Sequence, residues 1–88
     1  MEIKKNEMDE KMEANTKDII AGAYRFYETY YDKCLYIEGR MREVYPGFNW
    51  TAIIYKKGYG SFHSYKTNGF FFSCKIQDDI ISVFGTKI

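Results

Sequence analysis

Apolar side chains recur at helical spacing from Asn15 to Tyr45, and this stretch predicts a long amphipathic helix. Asn15 or Thr16 is expected to cap its start. Pro46 is expected to end it, because proline disfavours a helical conformation at the preceding residue. A helix of about thirty residues would be about 45 Å long, so we expect it either to bend or break near Gly39 or to project in part beyond the sheet. Its apolar side carries Ile20, Ala23, Tyr24, Tyr27, Tyr30, Tyr31, Cys34, Met41 and Tyr45.

Residues 1–14 have a different composition, because Glu, Lys and Asp dominate them and only Ile3, Met8 and Met12 are large and apolar. This apolar stripe is too thin to predict a stable helix by itself. We expect a charged arm or a frayed helix that becomes ordered only where something packs on the two methionines. Residues 15–88 are then expected to form a single domain, because a chain of 88 residues supplies only one core.

After Pro46 the spacing of apolar residues changes to the alternation that is typical of β-strands. Residues 49–57 form the first predicted strand, and Asn68-Gly69 between two β-rich runs predicts a hairpin over residues 61–76. A turn within Gln77-Asp78-Asp79 leads into a last strand over residues 80–87. The sequence therefore predicts an α+β fold, in which one long helix packs on a four-stranded antiparallel meander.

The register of the hairpin decides which side chains meet the helix and which lie on the outer face of the sheet. The predicted core face carries Phe70, Phe72, Cys74, Ile76, His63 and Tyr65 of the hairpin, with Ile81 and Val83 of the last strand. The predicted outer face carries an apolar cluster of Phe62, Phe71, Ile80 and Phe84, bordered by Lys66 and Lys75. A contiguous cluster of this kind usually marks a contact site, so we predict that these six residues bind a partner. The alternative cover for the cluster is the N-terminal arm of the chain itself.

No constellation of side chains in the sequence predicts catalysis, a metal site or a cofactor, so we do not expect an enzyme. His63 is predicted opposite Cys74, but both side chains face the core and no third residue orients the histidine. Glu38 falls inside the apolar arc of the helix, where an unpaired carboxylate is costly. We expect Glu38 to rotate outward to solvent. The alternative is that it stays inside and pairs with His63, Arg42 or a tyrosine hydroxyl.

Net charge, cysteine content and the length of apolar runs indicate the kind of environment in which the protein is expected to work. The net charge of +1 supplies no strong field for nucleic acid or for an anionic membrane. Two cysteines give no disulfide framework, and no apolar run has the length of a membrane span or of a signal peptide core. We therefore expect a cytoplasmic protein without membrane contact. Frequent Lys, Ile, Tyr and Phe are typical of AT-rich genomes, such as those of low-GC bacteria and their phages.

These observations favour a non-enzymatic protein-binding module, a small inhibitor or regulator that docks on a larger protein. A phage-encoded anti-defence inhibitor would fit the size and the composition of the chain. The outer face of the predicted sheet could also join two copies of the chain into a homo-oligomer. The sequence does not name the partner.

The alternative is a single-stranded nucleic-acid-binding sheet that combines aromatic stacking with lysines. Lys57-Gly58-Tyr59-Gly60 resembles the start of the RNP1 motif of RNA-recognition and cold-shock domains. In those domains a basic residue meets phosphate and aromatic residues stack on bases. The resemblance covers four residues, and Ser61 stands where those families carry an aromatic residue. The residues predicted for this surface are Lys56, Lys57, Tyr59, Phe62 and Phe71.

Overall fold

The computed structural model describes residues 1–56 and 70–88 of the chain. In these ranges the elements are, in order, β1 (Glu2–Asn6), α1 (Glu10–Phe26), α2 (Tyr30–Val44), β2 (Phe48–Lys56), β3 (Phe71–Ile76) and β4 (Asp79–Lys87). The predicted α+β class is confirmed, because the described residues combine helices with a four-stranded antiparallel sheet. None of the described helices is long and apolar enough to cross a membrane.

The strands lie in the order β1-β3-β4-β2, which differs from the predicted meander. β2 pairs with β4 over its full length, whereas β3 pairs with β4 on one side and with β1 on the other. Ile3 lies opposite Cys74, and Asn6 lies opposite Phe72. The register predicted for Phe72 and Cys74 is therefore wrong, because β1 and β4 take both sides of β3. The turn predicted at Asn68-Gly69 lies outside the described residues.

Residues 1–14 are part of the fold, which corrects the prediction of a charged arm or a frayed helix. Residues 2–6 form β1, and α1 begins at Glu10 after Asp9, whose carboxylate accepts a hydrogen bond from the Met12 amide at 2.8 Å. Met8 and Met12 are both 7% exposed and belong to the core. All five residues of β1 are exposed and Ile3 is its only apolar one, so its strand conformation comes from pairing with β3 and not from an apolar pattern of its own.

Two helices stand in place of the predicted single helix. The helical conformation is interrupted at residues 27–29 instead of near Gly39. Thr29 caps α2, because its hydroxyl oxygen accepts a hydrogen bond from the Asp32 amide at 3.1 Å. The largest extent of the molecule is 30 Å, and an unbroken helix of about 45 Å would exceed it. Gly39 lies inside α2 without ending it.

Both helices pack on the same face of the sheet. The buried cluster contains Ile20 and Ala23 of α1, Ile37 and Met41 of α2, and Trp50, Ala52, Phe72, Cys74, Ile81 and Val83 of the sheet. The predicted facing of these strand residues is confirmed. The facing of α2 is different from the prediction, because the break changes the helical phase: Lys33, Ile37 and Met41 are its buried positions, and Tyr31 is exposed.

α2 also covers the edge of β2. Glu38 does not rotate outward as predicted, because its Oε2 accepts a hydrogen bond from the Ala52 amide at 2.9 Å. Burial and the nearby Glu38 raise the pKa of the Cys34 thiol, and a hydrogen bond with the Ile54 backbone partly offsets this rise. Cys34 and Glu38, one helical turn apart in α2, thus contact the backbone of Ile54 and Ala52 in the edge strand β2. These contacts give backbone polar groups at the edge of the sheet a hydrogen-bond partner.

Aromatic rings fill the end of the sheet where β2 begins and β4 ends, which we call the packed end (Tyr45, Phe48, Trp50, Phe70 and Gly85). Trp50 lies opposite Gly85, and a Cβ atom at Gly85 would lie 2.7 Å from the Trp50 ring. The Phe48 ring centroid is 5.5 Å from that of Trp50 and 4.6 Å from that of Phe70. Trp50 Nε1 donates a hydrogen bond to the Tyr45 carbonyl at 3.0 Å. Glycine is required where the indole lies flat against the strand.

Candidate functional site

The outer face of the sheet, opposite the helices, carries four of the six residues predicted to bind a partner: Phe71, Lys75, Ile80 and Phe84. Phe71 and Phe84 pair across β3 and β4, and their ring centroids stack 6.2 Å apart. These side chains are only 3% and 9% exposed in the single chain, so the prediction of an exposed apolar cluster is wrong for them. Ile80 and Lys75 are half-buried on the same face.

The alternation of apolar and polar residues in these strands does not tell what covers the outer face. The hydroxyls of Ser73 and Ser82 hydrogen-bond to each other at 3.2 Å, and both residues are buried next to the phenylalanines. An apolar face that the chain itself buries and one that a partner buries give the same alternation in the sequence. The pattern therefore predicts correctly which residues lie on the outer face, but not whether the chain itself or a partner buries them.

Part of the two predicted binding sets lies in the described residues. Lys56 is exposed at the end of β2. Phe71 is 3% exposed, and Lys5 Nζ lies 5.5 Å from its ring centroid, so the ring offers no free face on which a base could stack. The remaining predicted residues lie outside the described residues, and their roles stay predictions: Lys57, Tyr59, Phe62 and Lys66.

Large apolar side chains are instead exposed around the junction of the two helices. We call this surface the junction patch, and it consists of Phe26 (66% exposed), Tyr27 (39%), Tyr30 (37%), Tyr31 (73%) and Leu35 (48%). The first four flank or form the break between α1 and α2, and Leu35 follows Tyr31 by one helical turn. The Thr29 cap fixes the start of α2, so the patch is built on a defined turn.

A cleft of about 420 Å³ lies beside the junction patch, between the helix junction and the loop that joins β3 to β4. We call it the junction cleft. Its chemistry is polar and aromatic, because its walls consist of three tyrosines, three acidic residues, two lysines and one glutamine. The lining residues are Tyr24, Tyr27 and Tyr30, then Glu28, Asp78 and Asp79, then Lys33 and Lys56, and Gln77.

The Asp79 carboxylate is the centre of the cleft wall and is 7% exposed. The Tyr24 hydroxyl donates a hydrogen bond to Asp79 Oδ2 at 2.8 Å, and the Tyr30 hydroxyl donates to Oδ1. Burial and the hydrogen bond to Asp79 raise the pKa of Tyr24 above its ordinary value. The hydrogen bond to Asp79 is also the main reason why the pKa of Tyr30 is raised. Both hydroxyl protons are therefore committed to one carboxylate at neutral pH.

Lys33 is the second buried charge of the cleft and is 7% exposed. Its Nζ donates a hydrogen bond to the Glu28 carbonyl at 2.7 Å. The same atom lies 4.8 Å from the ring centroid of Tyr24 and 6.0 Å from that of Tyr30, at cation–π distance. The ammonium group of Lys33 in α2 thus contacts both the Glu28 carbonyl in the break and the Tyr24 ring in the last turn of α1, and it stabilises the helix junction from its buried side.

The cysteines give no sign of nucleophilic chemistry. Burial raises the pKa of the Cys74 thiol to about 11, so the thiol stays protonated at neutral pH and is a poor nucleophile. His63, its predicted neighbour, lies outside the described residues. Across residues 1–56 and 70–88, no three His, Cys, Asp or Glu side chains are grouped so that they could hold a metal ion.

Of the cleft residues, only Lys56 belongs to a binding set predicted from the sequence, although the helix junction leaves two signals. Thr29 followed by Asp32 has the spacing of a helix N-terminus and could have located the break. Lys33 lies four residues before Ile37 and eight before Met41, which places it on the buried stripe of a helix that starts at residue 30. Asp79 leaves no local signal, because a turn aspartate looks the same whether or not tyrosines reach it.

Comparison with known proteins does not add a functional assignment. No protein-family description matches the sequence, and no similar sequence is found among curated proteins. The function is therefore argued from the junction patch and the junction cleft alone.

Proposed function

We propose that this protein is a non-enzymatic protein-binding module that docks on a larger protein through the junction patch. The observation that carries the proposal is the exposure of large apolar side chains at one place, led by Tyr31 at 73% and Phe26 at 66%. Single exposed apolar residues are ordinary, but several next to one another usually mark a contact surface. Docking of this kind is how a small inhibitor or regulator acts.

The type of residue supports protein binding. Tyrosine and phenylalanine are enriched at the centres of protein interfaces, where they bury a large area and lose little conformational freedom. Four of the five residues of the junction patch are aromatic. Hydrogen-bonding groups lie next to them in the junction cleft, so an apolar contact would have a polar rim at hand.

The local structure supports a preformed surface. The Thr29 cap and the Lys33 hydrogen bond to the Glu28 carbonyl both act within the junction, and the Tyr27 ring packs 5.3 Å from that of Tyr36. A surface that is already held in shape loses less entropy when it binds. Phe26 and Tyr31 take part in none of these contacts, so they can be replaced without touching them, which makes the proposal testable by mutation.

The test is capture of a partner from a lysate of the organism that encodes the chain, with immobilised protein and three variants. The double substitution Phe26→Ser with Tyr31→Ser is expected to abolish capture while the circular dichroism spectrum stays unchanged. The matched control is Val44→Ser with Ile88→Ser, which removes two exposed apolar side chains near the packed end. This control is expected to capture the same protein as the wild type.

Two results contradict the proposal. One is a folded junction-patch variant that captures the same protein as the wild type. The other is sedimentation of the purified wild-type protein as a dimer that the junction-patch variant does not form. That result would assign the patch to contact between two copies of the chain and not to a larger protein.

A further inference from the structure

We infer that the junction cleft receives a basic side chain of the docked protein, with an arginine guanidinium as the best-fitting group. This inference rests on the proposed function, because the cleft opens beside the junction patch. It specifies the chemistry of the partner: an arginine whose neighbours are apolar.

Two of the three tyrosine hydroxyl protons of the cleft are already used. Tyr24 and Tyr30 both donate to the Asp79 carboxylate, so their oxygens and the carboxylate can offer a ligand only lone pairs. An incoming anion would find neither of these two hydroxyls as a donor and would lie next to a buried carboxylate. A ligand that brings its own N–H donors would find acceptors on several sides.

The charges of the cleft point in the same direction. Among the described residues, the carboxylates of Glu28, Asp78 and Asp79 form no ion pair, although all three line the cleft. Lys33 and Lys56 are the lysines of the lining, so three negative groups face two positive ones and the net formal charge is negative. Glu28 and Asp78 are exposed, which places their unpaired charges where a partner can reach them.

The rings of the cleft already hold a cation of the chain itself. Lys33 Nζ lies 4.8 Å from the Tyr24 ring centroid, which shows that this wall accepts positive charge on an aromatic face. Lys33 is fixed there by the Glu28 carbonyl, on the buried side of the wall. Tyr27 and Tyr30 are more than a third exposed, and they offer the corresponding contact on the open side.

Arginine fits this set of groups better than lysine does. Its guanidinium is planar, stacks on aromatic rings and presents five donors in a fork that matches a carboxylate. Glu28 and Asp78 supply the carboxylates, and the exposed tyrosines supply the rings. Lysine would bring the charge without the planar contact.

The test needs only the purified protein and three small probes: the N-acetyl amides of arginine, citrulline and glutamate. Citrulline has nearly the shape of arginine without its charge. Each probe is titrated into the millimolar range at constant ionic strength, and backbone amide shifts are followed by NMR. Arginine is expected to give saturable shifts at Glu28, Lys33, Gln77 and Asp78. Citrulline and glutamate are expected to bind at least about tenfold more weakly, because each lacks the charge-assisted hydrogen bonds.

Two variants assign the effect to the cleft. Glu28→Gln is expected to weaken arginine binding about tenfold, because it removes one charged acceptor. The matched control Glu10→Gln changes the same residue type at the other end of α1, about 25 Å away, and is expected to leave binding unchanged. No saturable shift with arginine, equal shifts with citrulline, stronger binding of glutamate, or equal effects of the two variants would each overturn the inference.

Partner capture separates this inference from the proposed function. If Phe26→Ser with Tyr31→Ser abolishes capture while Glu28→Gln with Asp78→Asn leaves it intact, the patch binds a protein and the cleft does not receive a basic residue. If neither double variant changes capture, the proposed function itself is wrong.

Discussion

The two ends of the β2–β4 ladder carry similar aromatic side chains and use them in opposite ways. At the packed end, Trp50 is 4% exposed and lies against Gly85. At the other end, where Lys56 pairs with Asp79, the Tyr30 hydroxyl reaches Asp79, and Tyr31 and Phe26 of the same helix junction are exposed. The strands that join the two ends are nine residues long, or about 30 Å.

The difference teaches how to read an aromatic-rich sequence of this size. At the packed end, rings meet other rings and one backbone position without a side chain, so their apolar area contributes to stability. At the helix junction, the buried contacts are two hydrogen bonds that Asp79 accepts and one that Lys33 donates, and the rings of Phe26 and Tyr31 keep their apolar area exposed. The residue type is the same, but only the second arrangement leaves area for a partner.

The largest expected effect lies at the packed end. Gly85→Ala places a Cβ atom 2.7 Å from the Trp50 ring and is expected to destabilise the protein by about 1–3 kcal/mol, because the indole must shift. Urea unfolding measures this cost. The control Gly39→Ala is expected to have the opposite sign, a gain of about 0.5–1 kcal/mol. Its nearest neighbour would be Arg42 at 4.0 Å, and alanine favours the helix. A Gly85→Ala protein as stable as the wild type would contradict the close packing at Trp50.

The next effect lies in the junction cleft. Tyr24→Phe removes a hydrogen bond to a buried carboxylate and is expected to lower the free energy of unfolding by about 1.5 kcal/mol. Tyr30→Phe should have a smaller effect, because Tyr30 is 37% exposed and water can take its place on Asp79. Urea unfolding of both variants checks the order. A larger loss for Tyr30→Phe would mean that the more exposed Tyr30, and not the half-buried Tyr24, holds Asp79.

The cleft also predicts a pH dependence. The pKa of Tyr24 is raised in the folded protein above its ordinary value of 10.0, so the folded state binds this proton more tightly than the unfolded state. Its contribution to stability is complete below about pH 10 and decreases as the pH rises further. The stability difference between the wild type and Tyr24→Phe is therefore expected to stay constant from pH 7 to pH 9 and to shrink above pH 10. A difference that grows above pH 10 would reverse the assigned shift.

The smallest effect on stability is expected at the junction patch. Tyr31→Ser should change the free energy of unfolding by no more than about 0.5 kcal/mol, because the side chain is 73% exposed. Thermal unfolding of this variant beside Gly85→Ala compares the two ends directly. A loss as large as that of Gly85→Ala would show that the exposed ring is part of the core energetics and not a free surface.

The sequence was sufficient for the parts of the fold that depend on local periodicity. Alternation placed Trp50, Ala52, Phe72 and Val83 on the core face, and the Gln77-Asp78 turn lies within the predicted span. These predictions held because each depends on residues close together in the chain. The sheet order depends on long-range pairing, and nothing in the polar composition of β1 announces that β3 will bind it.

The candidate site was harder to predict than the fold. A helix wheel drawn through residues 15–45 placed Tyr30 and Tyr31 on the buried side, because the wheel ignored the break at residues 27–29. Once α2 starts at Tyr30, the phase shifts and Lys33 moves inside while Tyr31 moves outside. One unrecognised cap at Thr29 thus hid both the junction patch and the junction cleft.

The most direct test of the central claim is site-specific photo-crosslinking, with p-benzoylphenylalanine placed either at Tyr31 in the junction patch or at Thr86 near the packed end. Both positions are exposed, and Thr86 lies opposite Asn49 at the far end of the ladder. We predict that, in a lysate of the organism that encodes the chain, the probe at Tyr31 forms a covalent adduct with one larger protein. The probe at Thr86 is expected not to form it. An adduct that forms equally from both positions, or only from Thr86, would contradict the assignment of protein binding to the helix junction.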